Sequence, residues 1–288
     1  MQALYDVPAP AKLNLFLHVV GRRDDGYHLL QSVFMLIDWS DTLHFEVRDN
    51  GGISRDDIGA ALPQEDMVVR AARALQQACG TSAGVHIQLE KRIPLQSGMG
   101  GGSSDAASCL LALNRLWGLE LSLAQLEEIG LGLGADVPFF LRGRNAWVEG
   151  VGDRILPIDL PAARFAVAKP PQGLDTARIF SDPQLKRDSA PAIISGFAAN
   201  RDGDFPSGFG HNDLQPVAQR LCPGVTQALQ WLGDQGLEAR MTGSGSAVFA
   251  RMTQEKALLP APSGWQVREC RNLAVHPLTG WAASDDVG

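Results

Sequence analysis

Apolar and polar positions change period several times along the chain. Residues 11–20 alternate and are rich in apolar side chains, which predicts a strand carrying Lys12 and Asn14. Residues 21–26 are charged, with glycine at both ends, and read as a loop. Two further strands are expected at 29–37 and 42–47. Residues 49–66 hold glycine, proline and many acids and read as a surface excursion. From 66 to 79 the period becomes helical, through Val68, Val69, Ala72, Leu75 and Ala78. Asp66 is placed to cap that helix and Gly80 to end it. Residues 85–89 alternate as a strand. A glycine-rich turn then opens an apolar helix over about 104–117 and a second over 122–133, where Ser122 and Gln125 have the spacing of a capping box.

The second half is less regular. Short strands are expected at 146–148 and 165–168, and helices at 212–221 and 225–232. Strands at 238–241 and 248–251 flank another glycine-rich turn, and a last strand falls at 266–271. Residues 182–210 show weak periodicity, and 282–288 read as a frayed tail. Helices and strands mix without a regular βαβ rhythm, so the expected class is α+β. The proline-containing stretch 157–161 is taken as the lobe boundary. That gives an N-terminal domain at 1–158 and a C-terminal domain at 159–288.

Composition narrows the function. The 288 residues are 45% apolar and 20% charged, an ordinary globular profile with enough apolar surface for a core. A net charge of -7 without a run of Lys and Arg argues against nucleic acid as a partner. The four cysteines Cys79, Cys109, Cys222 and Cys270 lack C-x-x-C spacing and read as reduced thiols. No signal peptide and no apolar run of membrane-spanning length are present, so a cytoplasmic location without membrane association is expected. Oligomeric state is left open between monomer and homodimer.

The chemistry concentrates in Pro94-Leu95-Gln96-Ser97-Gly98-Met99-Gly100-Gly101-Gly102-Ser103-Ser104. Four glycines within five residues, between a strand and an apolar helix, remove the Cβ atoms that would keep a ligand off the backbone. The helix behind them offers unpaired N–H groups and the positive end of its dipole, which suits phosphate. Ser103 and Ser104 could cap that helix or contact phosphate. A flexible turn with a helix cap would need fewer glycines. Neither a Walker-type loop nor a G-x-S-x-G elbow is present.

This segment resembles the signature of the GHMP kinases, the superfamily of galactokinase, homoserine kinase and mevalonate kinase. Pro94, Gly98, Gly100, Gly101, Gly102, Ser103 and Ser104 stand in matching positions. Met99 replaces the usual leucine, and Gln96 a glycine common in the nearest subfamily. Further segments resemble that subfamily, which acts on 4-diphosphocytidyl-2-C-methyl-D-erythritol. They are Pro10-Ala11-Lys12-Leu13-Asn14-Leu15, the loop 22–28 ending in Gly26-Tyr27-His28, Gly134-Ala135-Asp136-Val137-Pro138, Asn212-Asp213-Leu214 and Thr242-Gly243-Ser244-Gly245.

The resemblance implies a two-lobed fold with its active site in the cleft between the lobes. It implies ATP as co-substrate at residues 94–104, and phosphorylation of the 2-hydroxyl of that cytidine diphosphate compound, in isopentenyl diphosphate biosynthesis by the non-mevalonate route. Mg²⁺ is expected with ATP on charge grounds, without an assigned protein ligand. Asp136 is implied as the base and Lys12 as its cationic partner. Asn14, Tyr27, His28 and Phe180 are implied at the substrate, with Tyr27 and Phe180 on the two faces of the cytosine. Met67 replaces an asparagine usual near the adenine. Taken alone, Lys12 would face solvent, Asp136 would cap or turn, and Phe180 would serve equally well in a core. Homoserine- or mevalonate-type substrates, and a non-catalytic nucleotide sensor on the same fold, are the alternatives. The cytosine loop argues against the first and the Lys12–Asp136 pair against the second.

Overall fold

The computed structural model describes residues 1–59, 61–198, 208–253 and 257–283. Part of the irregular stretch expected at 182–210, and most of the tail expected at 282–288, lie outside those residues.

The first half is built on one long antiparallel pair, β1 (Ala3–Arg22) and β2 (His28–Arg48). Both strands are longer than the apolar pattern predicts. Pro8 and Pro10 obscure the start of β1, yet β1 pairs in its sheet with β2 alone, and an edge strand tolerates a missing N–H. The polar run at 38–41 conceals the continuity of β2. Asp41 within it is fully buried, its carboxylate accepting the N–H groups of Arg92 and Ile93. The excursion expected at 49–66 contains a strand instead, β3 (Ile53–Ile58). It lies parallel to β4 (Gly84–Glu90), with α1 (Met67–Cys79) as the crossover between them. β3 escaped the pattern because it is an edge strand with alternate residues exposed, and its Arg55 is spent on Asp57 and Asp66. The caps of α1 are those expected: Asp66 accepts from the Val69 N–H, and Gly80 turns left-handed at φ 60°.

Next come α2 (Gly101–Leu116), α3 (Leu123–Leu133), the short α4 (Val137–Arg142), β5 (Ala146–Gly150) and β6 (Arg154–Pro157). Ser122 and Gln125 form the expected capping box on α3. The six-stranded sheet runs β3-β4-β2-β5-β6, with β1 beside β2. Its core joins Leu36, Phe45, Leu75, Ile87, Leu110 and Phe139. The helix α2 is fastened to β1 by two hydroxyls one turn apart: Ser104 donates to the Pro10 carbonyl at 2.7 Å, and Ser108 to the Pro8 carbonyl at 2.8 Å.

The second half begins with β7 (Arg164–Lys169), α5 (Thr176–Phe180), α6 (Ile194–Ala198), α7 (Gln215–Leu221) and α8 (Pro223–Gly233). It ends with β8 (Ala239–Met241), β9 (Val248–Met252) and β10 (Gln266–Arg271). These strands form a four-stranded antiparallel sheet in the order β10-β7-β9-β8. Alternation along β7 divides two cores. Phe165 and Val167 pack with Leu13, Met35 and Ile37 of the first sheet, whereas Ala166 and Ala168 pack with Val217, Val225 and Leu232 of α7 and α8. The two sheets therefore share a core, and the architecture is α+β. Cys109, Cys222 and Cys270 are buried, Cys79 is half-buried, and all four are free. Among the described residues no helix is long and apolar enough to cross a membrane.

Ser104 was a candidate phosphate contact, but it is fully buried and bonded to β1. Ser104→Ala should lower stability by about 1–3 kcal/mol, the cost of an unmade buried hydrogen bond. Urea denaturation reads that loss, and the KM for ATP should not move.

Candidate active site

A cleft of about 1150 Å³ lies where β1, the glycine loop, the start of α4 and the second half of the chain meet. Lys12 and Asn14 reach it from β1, two residues apart and so on one face of the strand. Register shifts at Pro10/Lys12 and Asn14/Leu17 bracket the pair. Lys12 does not face solvent: its side chain is 5% exposed, and its Nζ lies 4.5 Å from the centre of the Phe34 ring. It donates to Asn14 Oδ1, and Asn14 in turn donates to Ser32 Oγ at 2.9 Å. Lys12 Nζ stands 3.5 Å from the Asp136 carboxylate, which is 30% exposed toward the cleft.

Asp136 occupies the N-cap position of α4, yet its side chain caps nothing. A cap residue normally spends its carboxylate on the first-turn N–H groups. Here the carboxylate is left for the cleft, with Lys12 beside it.

The glycine loop meets the cleft along Gly98, Gly100, Gly101, Gly102 and Ser103. The glycines are required for different reasons. A Cβ on Gly98 would collide with the Thr242 carbonyl and lie 2.7 Å from the Gly245 nitrogen, so this glycine serves backbone packing. One on Gly100 would lie 3.0 Å from Phe140 and 3.2 Å from Lys12 Cε, in a residue already at φ 72°. A Cβ on Gly102 would meet only Met67, at an ordinary 3.5 Å, so that glycine is free of protein constraint and lies open to a ligand. Gln96 keeps the left-handed backbone, φ 50°, that explains a glycine preference there. Of the loop residues named from sequence, Pro94, Leu95, Gln96, Ser97 and Ser103 also line the cleft. Met99 is instead buried in the core and Ser104 is turned to β1. The sixteen-residue α2 starts at Gly101, three residues before the expected start, so its free N–H groups belong to Gly101, Gly102 and Ser103 of the loop itself.

Behind the loop, Lys91 bridges Asp41 and Asp105, at 2.6 Å from the latter. Burial pushes the Asp105 carboxyl well above the usual carboxylate range, against the pull of Lys91. Burial alone would lower the Lys91 ammonium, but the two carboxylates raise it above its ordinary value. Lys91 follows β4 between Glu90 and Arg92, and such a charged run gave no sequence signal of this triad.

Tyr27, His28 and Phe180 line the same cleft. Tyr27 is 66% exposed, and the Phe180 and His28 rings lie 5.0 Å apart at 35°. Burial, aided by Arg187 and Arg22, holds the His28 imidazole below the usual histidine range. Two further cleft residues were not singled out from sequence. Thr176 and Ser244 join their hydroxyls at 2.7 Å; Met67, by contrast, was marked in the sequence, and it sets an apolar wall beside Gly102. Ser244 lay within a quoted motif, which was its only signal.

Residues 66–144 match the GHMP kinases N terminal domain and residues 196–259 the GHMP kinases C terminal family. The chain is 66% identical over 295 residues to the 4-diphosphocytidyl-2-C-methyl-D-erythritol kinase of Variovorax paradoxus (strain S110), covering 98% of this chain and 100% of that one. It is 67% identical to the kinase of the same name from Albidiferax ferrireducens, with 99% and 98% covered. Among solved structures it is similar to a 4-(cytidine 5'-diphospho)-2C-methyl-D-erythritol kinase. The TM-score is 0.73 and the identity 36%, over 87% of this chain and 90% of that one. The chain therefore belongs to the GHMP kinases and, within them, to the family of 4-diphosphocytidyl-2-C-methyl-D-erythritol kinases.

Proposed function

We propose that this chain transfers the γ-phosphoryl group of ATP to the 2-hydroxyl of 4-diphosphocytidyl-2-C-methyl-D-erythritol, giving the 2-phosphate and ADP, in isopentenyl diphosphate biosynthesis. The observation that carries the reading is the Lys12–Asp136 pair, 3.5 Å apart, in the cleft that also holds the glycine loop and the Tyr27–His28–Phe180 cluster. Phosphoryl transfer to an alcohol needs little covalent help. It needs positioning, an acceptor for the hydroxyl proton and positive charge at the phosphoryl oxygens. Asp136 takes the proton of the 2-hydroxyl as that oxygen bonds to the γ-phosphorus and the bond to ADP breaks. Lys12 stabilises the charge gathering on the transferred group. Asn14 accepts from Lys12 and donates to Ser32, which fixes the ammonium without neutralising it.

The triphosphate lies along Gly98–Ser103, where the first N–H groups of α2 are unpaired. Bound with ATP, Mg²⁺ would supply positive charge at the phosphate oxygens. Among the described residues no group of three or more His, Cys, Asp and Glu is placed to cage a metal. The Ser103 hydroxyl, at the cleft, is the loop oxygen that would help hold such an ion. Tyr27 and Phe180 take the two faces of the cytosine and His28 its edge. This reading keeps residues 1–158 as the ATP-binding domain and 159–288 as the C-terminal domain. The separate sheets formed by β1–β6 and β7–β10 support that division. A small-molecule substrate and a cytoplasmic enzyme, acting as monomer or homodimer, complete it.

Asp136→Asn should lower kcat by at least about a hundredfold, the usual scale of general-base catalysis, with the KM for ATP nearly unchanged. Lys12→Ala should do the same. A coupled ADP-release assay checks both, and wild-type turnover in Asp136→Asn would remove the base from the mechanism.

Tyr27→Ala should cost about 1–3 kcal/mol of base stacking, about tenfold to a hundredfold in the KM for the cytidine substrate. Turnover of 2-C-methyl-D-erythritol 4-phosphate, so far as it reacts, should not change. Equal losses on both substrates would show that Tyr27 supports the fold rather than the base.

A further inference from the structure

His28, the first residue of β2, lines the cleft, and its Nε2 lies 3.0 Å from Nε of Arg187. The rest of the Arg187 guanidinium donates to backbone carbonyls: Nη1 to Leu185 at 3.0 Å, and Nη2 to Phe180 at 2.9 Å and Asp182 at 2.8 Å. A guanidinium only donates and does not lose its proton in proteins. Nε2 of His28 must therefore accept. It follows that the ring is neutral and carries its proton on Nδ1. This follows from the chemistry of the partner and needs no observed hydrogen. Among the described residues no hydrogen bond is made to Nδ1, so it is the polar atom this ring can offer a ligand.

We propose that Arg187 is a positioning residue for base selection, which fixes His28 as the Nδ1–H tautomer so that the cleft presents a donor and the bound base must answer with an acceptor. The proposal rests on the placement of the base at Tyr27, His28 and Phe180 given above. Cytosine carries acceptors on adjacent atoms, N3 and O2. Uracil carries a donor at N3, and two donors facing each other in a partly buried site would both go unpaired. The same guanidinium holds the Phe180 carbonyl, so one side chain sets both the stacking ring and the hydrogen-bonding edge. The charged groups acting on His28 are Arg187 and Arg22, both cations, and burial adds to their effect. The ring is thus kept neutral through the neutral pH range, with one tautomer rather than two.

Nitrogen-15 NMR of the histidine-labelled full chain, without substrate, reads the tautomer directly. The wild type should show His28 protonated on Nδ1. Arg187→Met should show the proton shared with Nε2, the site neutral histidine prefers in water, and Arg187→Lys should largely retain the Nδ1–H form. In Arg187→Met the KM for the cytidine substrate should rise about tenfold at pH 8, the scale of one lost hydrogen bond, with the loss in KM rather than kcat. That KM should recover as pH falls below the usual histidine range, where burial and Arg22 still hold this ring, because the imidazolium carries a proton on both nitrogens. Wild-type KM should stay flat over the same range. A KM that rises equally at every pH would mean that Arg187 only supports the loop, and would overturn the proposal. So would an Nε2–H signal in the wild type, a result that does not depend on any variant folding. His28→Ala separates the two layers. If it leaves KM unchanged, the base is not at His28, and the placement and the proposal fail together. If it raises KM while the wild-type tautomer is Nε2–H, the placement stands and only the role of Arg187 falls.

Discussion

Two glycine turns, one from each half of the chain, pack backbone against backbone, and the rest of the site is arranged around that contact. Gly98 and Gly243 approach so closely that a side chain on either would strike the other turn. The contact is also hydrogen-bonded: Ser246 N–H donates to the Gln96 carbonyl at 3.2 Å and Ala247 N–H to the Ser97 carbonyl at 3.1 Å. β1 is tied to both turns, since the Lys12 N–H donates to the Met99 carbonyl at 3.0 Å and the Asn14 N–H to Thr242 Oγ1 at 2.9 Å. Lys12 and Asn14, which reach the cleft from β1, are thus held through their own backbone by the two turns that shape it. Small displacements between the halves would shift the turn at Thr242–Gly245 relative to Lys12 and Asp136, which both belong to the first half. Positioning at this scale accounts for much of what a phosphoryl-transfer enzyme contributes.

The protein uses two buried lysines beside one loop in opposite ways. Lys91 is enclosed by Asp41 and Asp105, and Asp41 also receives two backbone N–H groups. Its charge is consumed in fixing the segment before the loop against β2 and α2. Lys12 faces an aromatic ring and a neutral amide, with one carboxylate at the longer distance of 3.5 Å. Its charge is only partly answered, and an incoming phosphate can complete it. The two ammonium groups differ in how many carboxylates reach them, two at Lys91 and one at Lys12, and not in how deeply each is buried.

The parts of this structure that were legible in the sequence are those fixed by local rules. The caps at Asp66, Gly80 and Ser122 act within a few residues, and apolar period alone placed α1, α3 and most strands. What was not legible depends on distant partners. Residues 38–41 look like a break in β2, and only the N–H groups of Arg92 and Ile93 make a buried Asp41 tolerable. β3 is half-exposed and leans on one neighbour, so its composition is that of a loop. The short helices α4 and α5 are too brief to show a period. In the site, the glycine loop could be read from residue type. The burial of Lys12, the idle carboxylate of Asp136 and the grip of Arg187 on His28 each required the chain to be folded.

The hydroxyl of Ser104 has a consequence for how such sequences diverge. Gly98, Met99 and Ser104 sit inside the most recognisable stretch of the chain, yet one packs on a backbone, one fills the core and one fastens α2 to β1. A descendant that gave up catalysis would still draw stability from all three. It could lose Asp136, whose side chain supports no helix, at little structural cost. On the reading that makes Asp136 the base, pseudoenzymes arising from this scaffold would keep an intact glycine motif and would be recognised by drift at residue 136.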